Sequence, residues 1–186
     1  MKRELTLTDI AGYLPYDLKV QDRDRDIWVL CQLGNADPCR DGDIGLATDG
    51  GDCVQYDYLD DILPVLRPMS DLYVEITERG YNNGKPFVPI MKLAELIGDT
   101  DNCEWRFQPE NTRVFSRQYS WCFRWDFDSM AFRLPDSPQE DVLGHVIPAT
   151  HNLYDLLHRL KFDHRGLIDV KLAVSVHDLP TNPYEQ

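Results

Sequence analysis

His151, Asp155 and His158 are spaced i, i+4 and i+7. On a helix turning roughly 100° per residue they project within about 60° of one another. Two imidazoles and a carboxylate would then face a divalent metal, with His164 beyond the helix as a fourth ligand. The spacing lacks the glutamate that makes a zincin helix a hydrolase. Leu153, Leu156, Leu157 and Leu160 take the opposite side, so the histidine face reads more simply as a solvated polar surface. No metal or other cofactor is expected.

A second metal motif is weaker. Asp37, Asp41, Gly42 and Ile44 fall at positions 1, 5, 6 and 8 of a calcium-binding loop. Cys39 stands at position 3 and Thr48 where the bidentate glutamate belongs, and two carboxylates do not strip the hydration of calcium. Residues 113–125 offer a different chemistry: Arg113, Arg117 and Arg124, five aromatic rings and no acid. Trp121 between Arg117 and Arg124 would stack on a base while the guanidinium groups neutralise phosphate. Such a row of rings on one strand face is more economically buried, because exposed it would form a large apolar patch. Direct nucleic-acid binding is therefore not the preferred reading. The five cysteines, Cys31, Cys39, Cys53, Cys103 and Cys122, form no Cys-x-x-Cys and an odd total, which suits reduced thiols. No glycine-rich phosphate loop and no Gly-x-Ser-x-Gly elbow occurs.

The elements that must position these residues are short. Thr6 or Thr8 caps a helix over 8–14, which ends before Pro15. Strands are predicted at 16–21 and 27–33, joined by the charged turn Asp22–Asp26. Pro64 and Pro68 make 62–69 an extended segment at a sheet edge. Ser70 caps a short turn, and Pro89 opens a helix that runs to Ile97 and stops at Gly98. Residues 114–127 alternate with period two, with Phe115, Tyr119, Trp121, Phe123, Trp125 and Phe127 on one parity and a mostly polar set on the other, so they read as a strand with an aromatic core face. A second strand follows through Met130, Phe132 and Leu134. Thr150 caps a helix over 151–162, and 167–176 reads as a half-buried strand. The class is α+β, a single compact domain over 1–186 with a mainly antiparallel sheet and three to four short helices. The tail 180–186 is expected to be loose.

Charge is concentrated. The chain carries 32 acids against 19 bases, a formal charge of −13 over 186 residues. Residues 34–61 hold eight aspartates against Arg40 alone, together with five of the eleven glycines. This segment reads as an acidic hairpin or loop excursion. An overall charge of this sign repels phosphate. No run of 18 apolar residues is present, so no membrane span is predicted, and MKRELTLTDI lacks the apolar stretch of a signal peptide.

Four segments occur in order: LTLTDIAGYLPYDLKV, DDILPVLRPMSDLYVEI, KPFVPI and LYDLLHRLKFDHRGLIDVKLAVSVHDL. Within them stand Leu14-Pro15-Tyr16, Leu66-Arg67-Pro68 with Ser70-Asp71-Leu72, and Phe162-Asp163 before Gly166-Leu167-Ile168. This pattern resembles a family of short proteins of unknown function encoded in phages, prophages and mobile elements of gut Bacteroidota. The resemblance carries over no activity and no catalytic residue. It implies a cytoplasmic protein of the host bacterial cell. Residues 34–61 and 113–134 lie outside the pattern, and specialisation belongs there. The expected function is a non-catalytic accessory protein of a phage or mobile element that binds a host or phage macromolecule, a protein partner being expected, through an acidic surface carried by Asp37, Asp41, Asp43, Asp49, Asp52 and Asp57. One form of it is a nucleic-acid-mimicking decoy of a defence protein. The alternatives are a metal-dependent enzyme using His151, Asp155 and His158, and a single-strand binder using Arg117, Trp121 and Arg124.

Overall fold

A computed structural model describes residues 3–34, 44–49, 51, 53–97, 105–109, 112–116, 121–134, 145–146 and 151–185. The chain divides into two compact units, one of Met1–Pro68 with Leu157–Tyr184 and one of Met69–Leu156. The fold is α+β and its pairing is almost wholly antiparallel; the sheet expected as one is two, with one in each unit. Three α-helices occur among the described residues: α1 (Leu7–Ile10), α2 (Pro89–Ile97) and α3 (His151–Arg159). None is long and apolar enough to cross a membrane.

The first unit starts with a capping box. The Asp9 carboxylate reaches back to the Thr6 backbone N–H at 3.0 Å and accepts from its hydroxyl at 2.7 Å. α1 lasts only one turn because Gly12 and Pro15 follow, and the chain tightens into a 3-10 turn over Ala11–Tyr16. The sheet then assembles from β1 (Lys19–Gln21), β2 (Ile27–Leu33), β3 (Ile44–Ala47), β4 (Cys53–Asp57), β5 (Leu63–Leu66) and β11 (Val174–Ser175), in the order β11-β5-β1-β2-β3-β4. β3 and β4 come from the acidic segment, so its short apolar pieces are part of the sheet. Alternation buries Leu18, Val20, Leu30, Ile44 and Leu46 with Ile10 and Tyr13 of the N-terminal turns. The β2–β3 register slips between Leu30 and Gln32, a bulge that leaves Cys31 exposed.

Three expectations are corrected in this unit. β5 is not a sheet edge, since it pairs with β1 on one side and with β11, in parallel, on the other. Proline is tolerated there because the β11 contact opposes Val65 and Leu66 and leaves Pro64 clear of it. Residues 167–176 are not a strand beyond Val174–Ser175. The Asp163 carboxylate instead accepts from the Leu167 and Ile168 amides, each at 2.8 Å, and folds that stretch into turns that leave Val170 exposed. The tail is anchored rather than loose: Tyr184 is 3% exposed, and its hydroxyl donates to Val65 O and accepts from Lys19 N–H.

The second unit holds β6 (Trp105–Gln108), β7 (Arg113–Ser116), β8 (Trp121–Asp126), β9 (Ala131–Leu134) and β10 (His145–Val146), a meander in the order β10-β9-β8-β7-β6. Pro89 opens α2 as predicted, and Ile90, Leu93 and Ala94 are fully buried. The long strand expected over 114–127 is two strands paired as a hairpin, with Val114 opposite Phe123 and Phe115 opposite Cys122. That register reverses parity between the arms. Val114 and Phe123 share the buried face, whereas Phe115 is half-buried and Phe127 exposed. Phe132 closes the aromatic core against Phe123 at 5.1 Å and Trp125 at 4.9 Å between ring centroids.

Candidate functional site

The carboxylates that the fold gathers lie on the first unit, at the end of its sheet where β1 turns into β2. Asp22 builds that turn. Its carboxylate accepts from the Asp24 amide (2.9 Å), the Asp26 amide (2.8 Å) and the Trp28 indole N–H (2.8 Å). Arg25 is held in a left-handed conformation as the chain reverses. Register then brings a second acidic segment alongside. Gln21 opposes Ile27 on one side and Leu63 on the other, so Asp60 and Asp61, just before β5, arrive beside Asp22. The Arg23–Asp61 ion pair ties the two segments together.

Between these segments and the C-terminal strap lies an open cleft of about 970 Å³, lined by Asp22, Arg23, Arg25, Asp60, Asp61 and Asp178 among others. A second cleft of about 660 Å³ shares Gln21, Arg25, Leu179 and Pro180 with it and carries Lys19, Asp26 and Asp49. The Lys19–Asp49 ion pair spans this second opening, with Lys19 buried and Asp49 exposed. Asp24, Asp26 and Asp60 are all exposed. The two clefts together are lined by six aspartates, Asp22, Asp26, Asp49, Asp60, Asp61 and Asp178, against Lys19, Arg23, Arg25 and Lys171.

Of the partner-binding residues predicted from sequence, Asp37, Asp41, Asp43 and Asp52 lie outside the described residues. Asp49 reaches the second cleft, and Asp57 ends β4, its carboxylate accepting from the Tyr58 amide at 2.9 Å. Sequence reasoning read Asp22–Asp26 as a turn and counted Asp60 and Asp61 with the acidic segment 34–61, without bringing the two together. The clue was available in the spacing, since both segments abut short strands that a register must align.

The histidine face separates by environment. His151 and Asp155 are exposed on α3. The His158 ring is half-buried and packs on Tyr13 at 4.6 Å and His164 at 4.9 Å between centroids. Gly12 lies under it so closely that a Cβ there would fall 2.3 Å from His158 Cε1. Tyr13 Oη donates to Phe162 O at 2.7 Å and lies 3.2 Å from His164 Nδ1. With the tyrosine proton so used, Nδ1–H donates to Oη. Burial, and then neighbouring His158, push the His164 pKa down to about 3, so the ring is neutral at pH 7. Burial likewise raises Tyr13 well above its ordinary value and, despite two amide donors, lifts Asp163. Burial also acts on Asp9, but the Thr6 bonds and Arg3 outweigh it and hold that carboxyl below its usual range. Among the described residues no three His, Cys, Asp or Glu side chains are grouped to hold a metal ion. What the cluster does chemically is pin the N-terminal turn to the chain after α3.

On the aromatic hairpin, Arg117 and the Trp121 side chain lie outside the described residues. Arg124 is half-buried, with its Nε buried and unbonded. Phe123 and Trp125 are core, and the Trp125 amide donates to Tyr73 Oη at 2.8 Å, whose pKa burial pushes up to about 12.

No protein-family model, no curated protein and no solved structure matches the chain.

Proposed function

We propose that the chain is a non-catalytic accessory protein that docks a protein partner in the cytoplasm of a bacterial host, through the acidic rim of its first unit. The observation that carries this reading is the meeting of two segments, one holding Asp22, Asp24 and Asp26 and the other Asp60 and Asp61, beside two adjoining clefts, cross-tied by Arg23 and Asp61. A rigid carboxylate rim steers and registers a basic surface without needing a deep pocket. The resemblance to proteins of phages and mobile elements supports an accessory role. Its narrower form is a decoy that occupies the nucleic-acid groove of a defence protein, where spaced carboxylates stand in for phosphates.

The test uses the immobilised full chain and a lysate of gut Bacteroidota cells at about 50 and about 300 mM salt. A partner retained at low salt and released at high salt is expected. The triple variant Asp24→Asn, Asp26→Asn, Asp60→Asn, which spares the turn-forming Asp22, is expected to weaken retention at least about tenfold. For the decoy form, the retained protein loses DNA or RNA binding when the chain is added. A partner held equally well by the triple variant, or none at either salt, refutes the proposal.

A further inference from the structure

Lysine is seldom taken out of water, yet the Lys19 side chain is 9% exposed where it lines the second cleft. The fold fixes its place. Lys19 opposes Val29 across β1 and β2, and its backbone N–H donates to Tyr184 Oη at 3.0 Å. What its ammonium meets is held far less firmly. Asp49 is 66% exposed on the turn after β3, which Gly51 N–H closes by donating to Thr48 O at 3.0 Å. Among the described residues the Asp49 carboxylate has no partner but Lys19, and Lys19 Nζ no acceptor but Asp49. An ammonium carries three donors, so a single carboxylate leaves part of its capacity unused. A carboxylate on an exposed turn is also exchanged at little cost, because water solvates it nearly as well as the lysine does.

We infer that the second cleft is a binding site for a small apolar carboxylic acid, whose carboxylate takes the place of Asp49 on Lys19. Asp49 itself shows which anion this ammonium accepts. With Asp49 in place, Lys19 and Arg25 face Asp26 and Asp49 in the cleft; with Asp49 turned out, one positive charge is left for one ligand carboxylate. Ile27, Val29, Leu179 and Pro180 supply an apolar wall, and about 660 Å³ is the size of a small-molecule site. A peptide main chain fits less well, because β1 and β2 are paired on both sides and offer it no strand edge. The site is independent of partner docking at the acidic rim.

The probes are phenylacetate, its neutral isostere phenylacetamide and its cationic counterpart phenethylamine. Each is titrated into the full chain while NMR follows the amides of Lys19, Val29 and Thr181. Saturable shifts are expected with phenylacetate, and binding at least about tenfold weaker with the amide and the amine. Asp49→Asn removes the internal competitor and tightens phenylacetate at least about threefold. Glu4→Gln removes the same charge from an exposed position outside the cleft and changes affinity by less than about 1.5-fold. Lys19→Met abolishes binding. The gain in Asp49→Asn cannot come from misfolding, so the test does not rest on that loss alone. The inference is overturned by the absence of saturable shifts, or by phenylacetamide or phenethylamine binding as tightly as the acid. It is overturned equally by an Asp49→Asn chain that binds no tighter than Glu4→Gln, or by the tripeptide Ala-Ala-Phe binding more tightly than phenylacetate. None of these outcomes bears on retention of a protein partner, so the two proposals fail separately.

Discussion

Replacing Tyr184 by phenylalanine removes one oxygen atom and leaves the ring where it is. That oxygen does the work of a sheet rung. β1 and β5 oppose Gln21 to Leu63 and Val20 to Pro64, so the next opposed pair is Lys19 and Val65. At that position the Tyr184 hydroxyl stands between them, accepting from Lys19 N–H at 3.0 Å and donating to Val65 O at 2.8 Å. The ring keeps Lys161 Nζ at 4.9 Å and Arg67 Cζ at 5.7 Å over its face in either residue, so the substitution isolates the hydroxyl. It leaves two buried backbone groups unsatisfied at about 1–3 kcal/mol each, and partial re-pairing across the gap recovers some of that. The expected loss is about 2–4 kcal/mol, which for a unit of roughly 100 residues is a fall of roughly 10–20 °C in melting temperature. Urea unfolding followed by circular dichroism measures the loss, and hydrogen exchange of the Lys19 amide reports the rung directly. A Tyr184→Phe protein within about 0.5 kcal/mol of the parent, with unchanged protection at Lys19, refutes the reasoning.

Two further outcomes follow from the Tyr13–His158–His164 cluster. Gly12→Ala drives a Cβ into the His158 ring and is expected to cost about 1–3 kcal/mol, most of it recovered when His158→Ala is added; a double-mutant cycle by urea unfolding with no coupling contradicts the close approach. His164 has a folded pKa near 3 against an ordinary 6.5, so below pH 6.5 the unfolded chain takes up a proton that the folded chain refuses. Its contribution is complete above pH 6.5 and falls by about 2 kcal/mol on going to pH 5. Asp163, with its pKa raised, acts with the opposite sign as pH falls through its folded value toward 3.8. His164→Asn is therefore expected to flatten the stability profile between pH 6.5 and 5, and an unchanged slope in denaturation titrations counts against a buried neutral ring.

Elements whose signals are local were legible in the residues. Pro89 and the Ile90, Leu93, Ala94 spacing define α2, and the apolar run Ile27–Leu33 forms β2 over its full length. Pairing between distant segments was not. Alternation over 114–127 is equally compatible with one strand or with two arms of a hairpin, because parity within each arm survives a turn while the relation between arms does not. The apolar periodicity of 167–176 was overridden by the Asp163 carboxylate, whose two amide contacts cost nothing in pattern and decide the backbone. The tail looked loose because Pro180, Asn182 and Pro183 are turn formers, and a single tyrosine at its end carries no periodic signal. The rim was hidden for the same reason. Acids at 22–26 and at 60–61 become neighbours only through the β1–β5 register.

The strap and the clefts are one object, and this separates shape from charge in the proposed docking. Leu179 and Pro180 wall both clefts, Asp178 the first and Thr181 and Pro183 the second, and the strap is fixed at one end by β11 on β5 and at the other by Tyr184. A partner that binds only the closed strap is weakened by the fraction of molecules in which the strap is open, and by nothing else, when Tyr184 is changed. A tenfold loss of affinity in Tyr184→Phe thus requires the closed form to fall to roughly a tenth, which hydrogen exchange of strap amides would register at once. The Asp24, Asp26 and Asp60 substitutions act in the other way. They remove exposed charge without touching a backbone bond, so they lower affinity and its salt dependence while the stability of the unit stays within about 0.5 kcal/mol. A partner sensitive to the first change but not the second reads the cleft wall; one sensitive to the second alone reads the rim, as proposed.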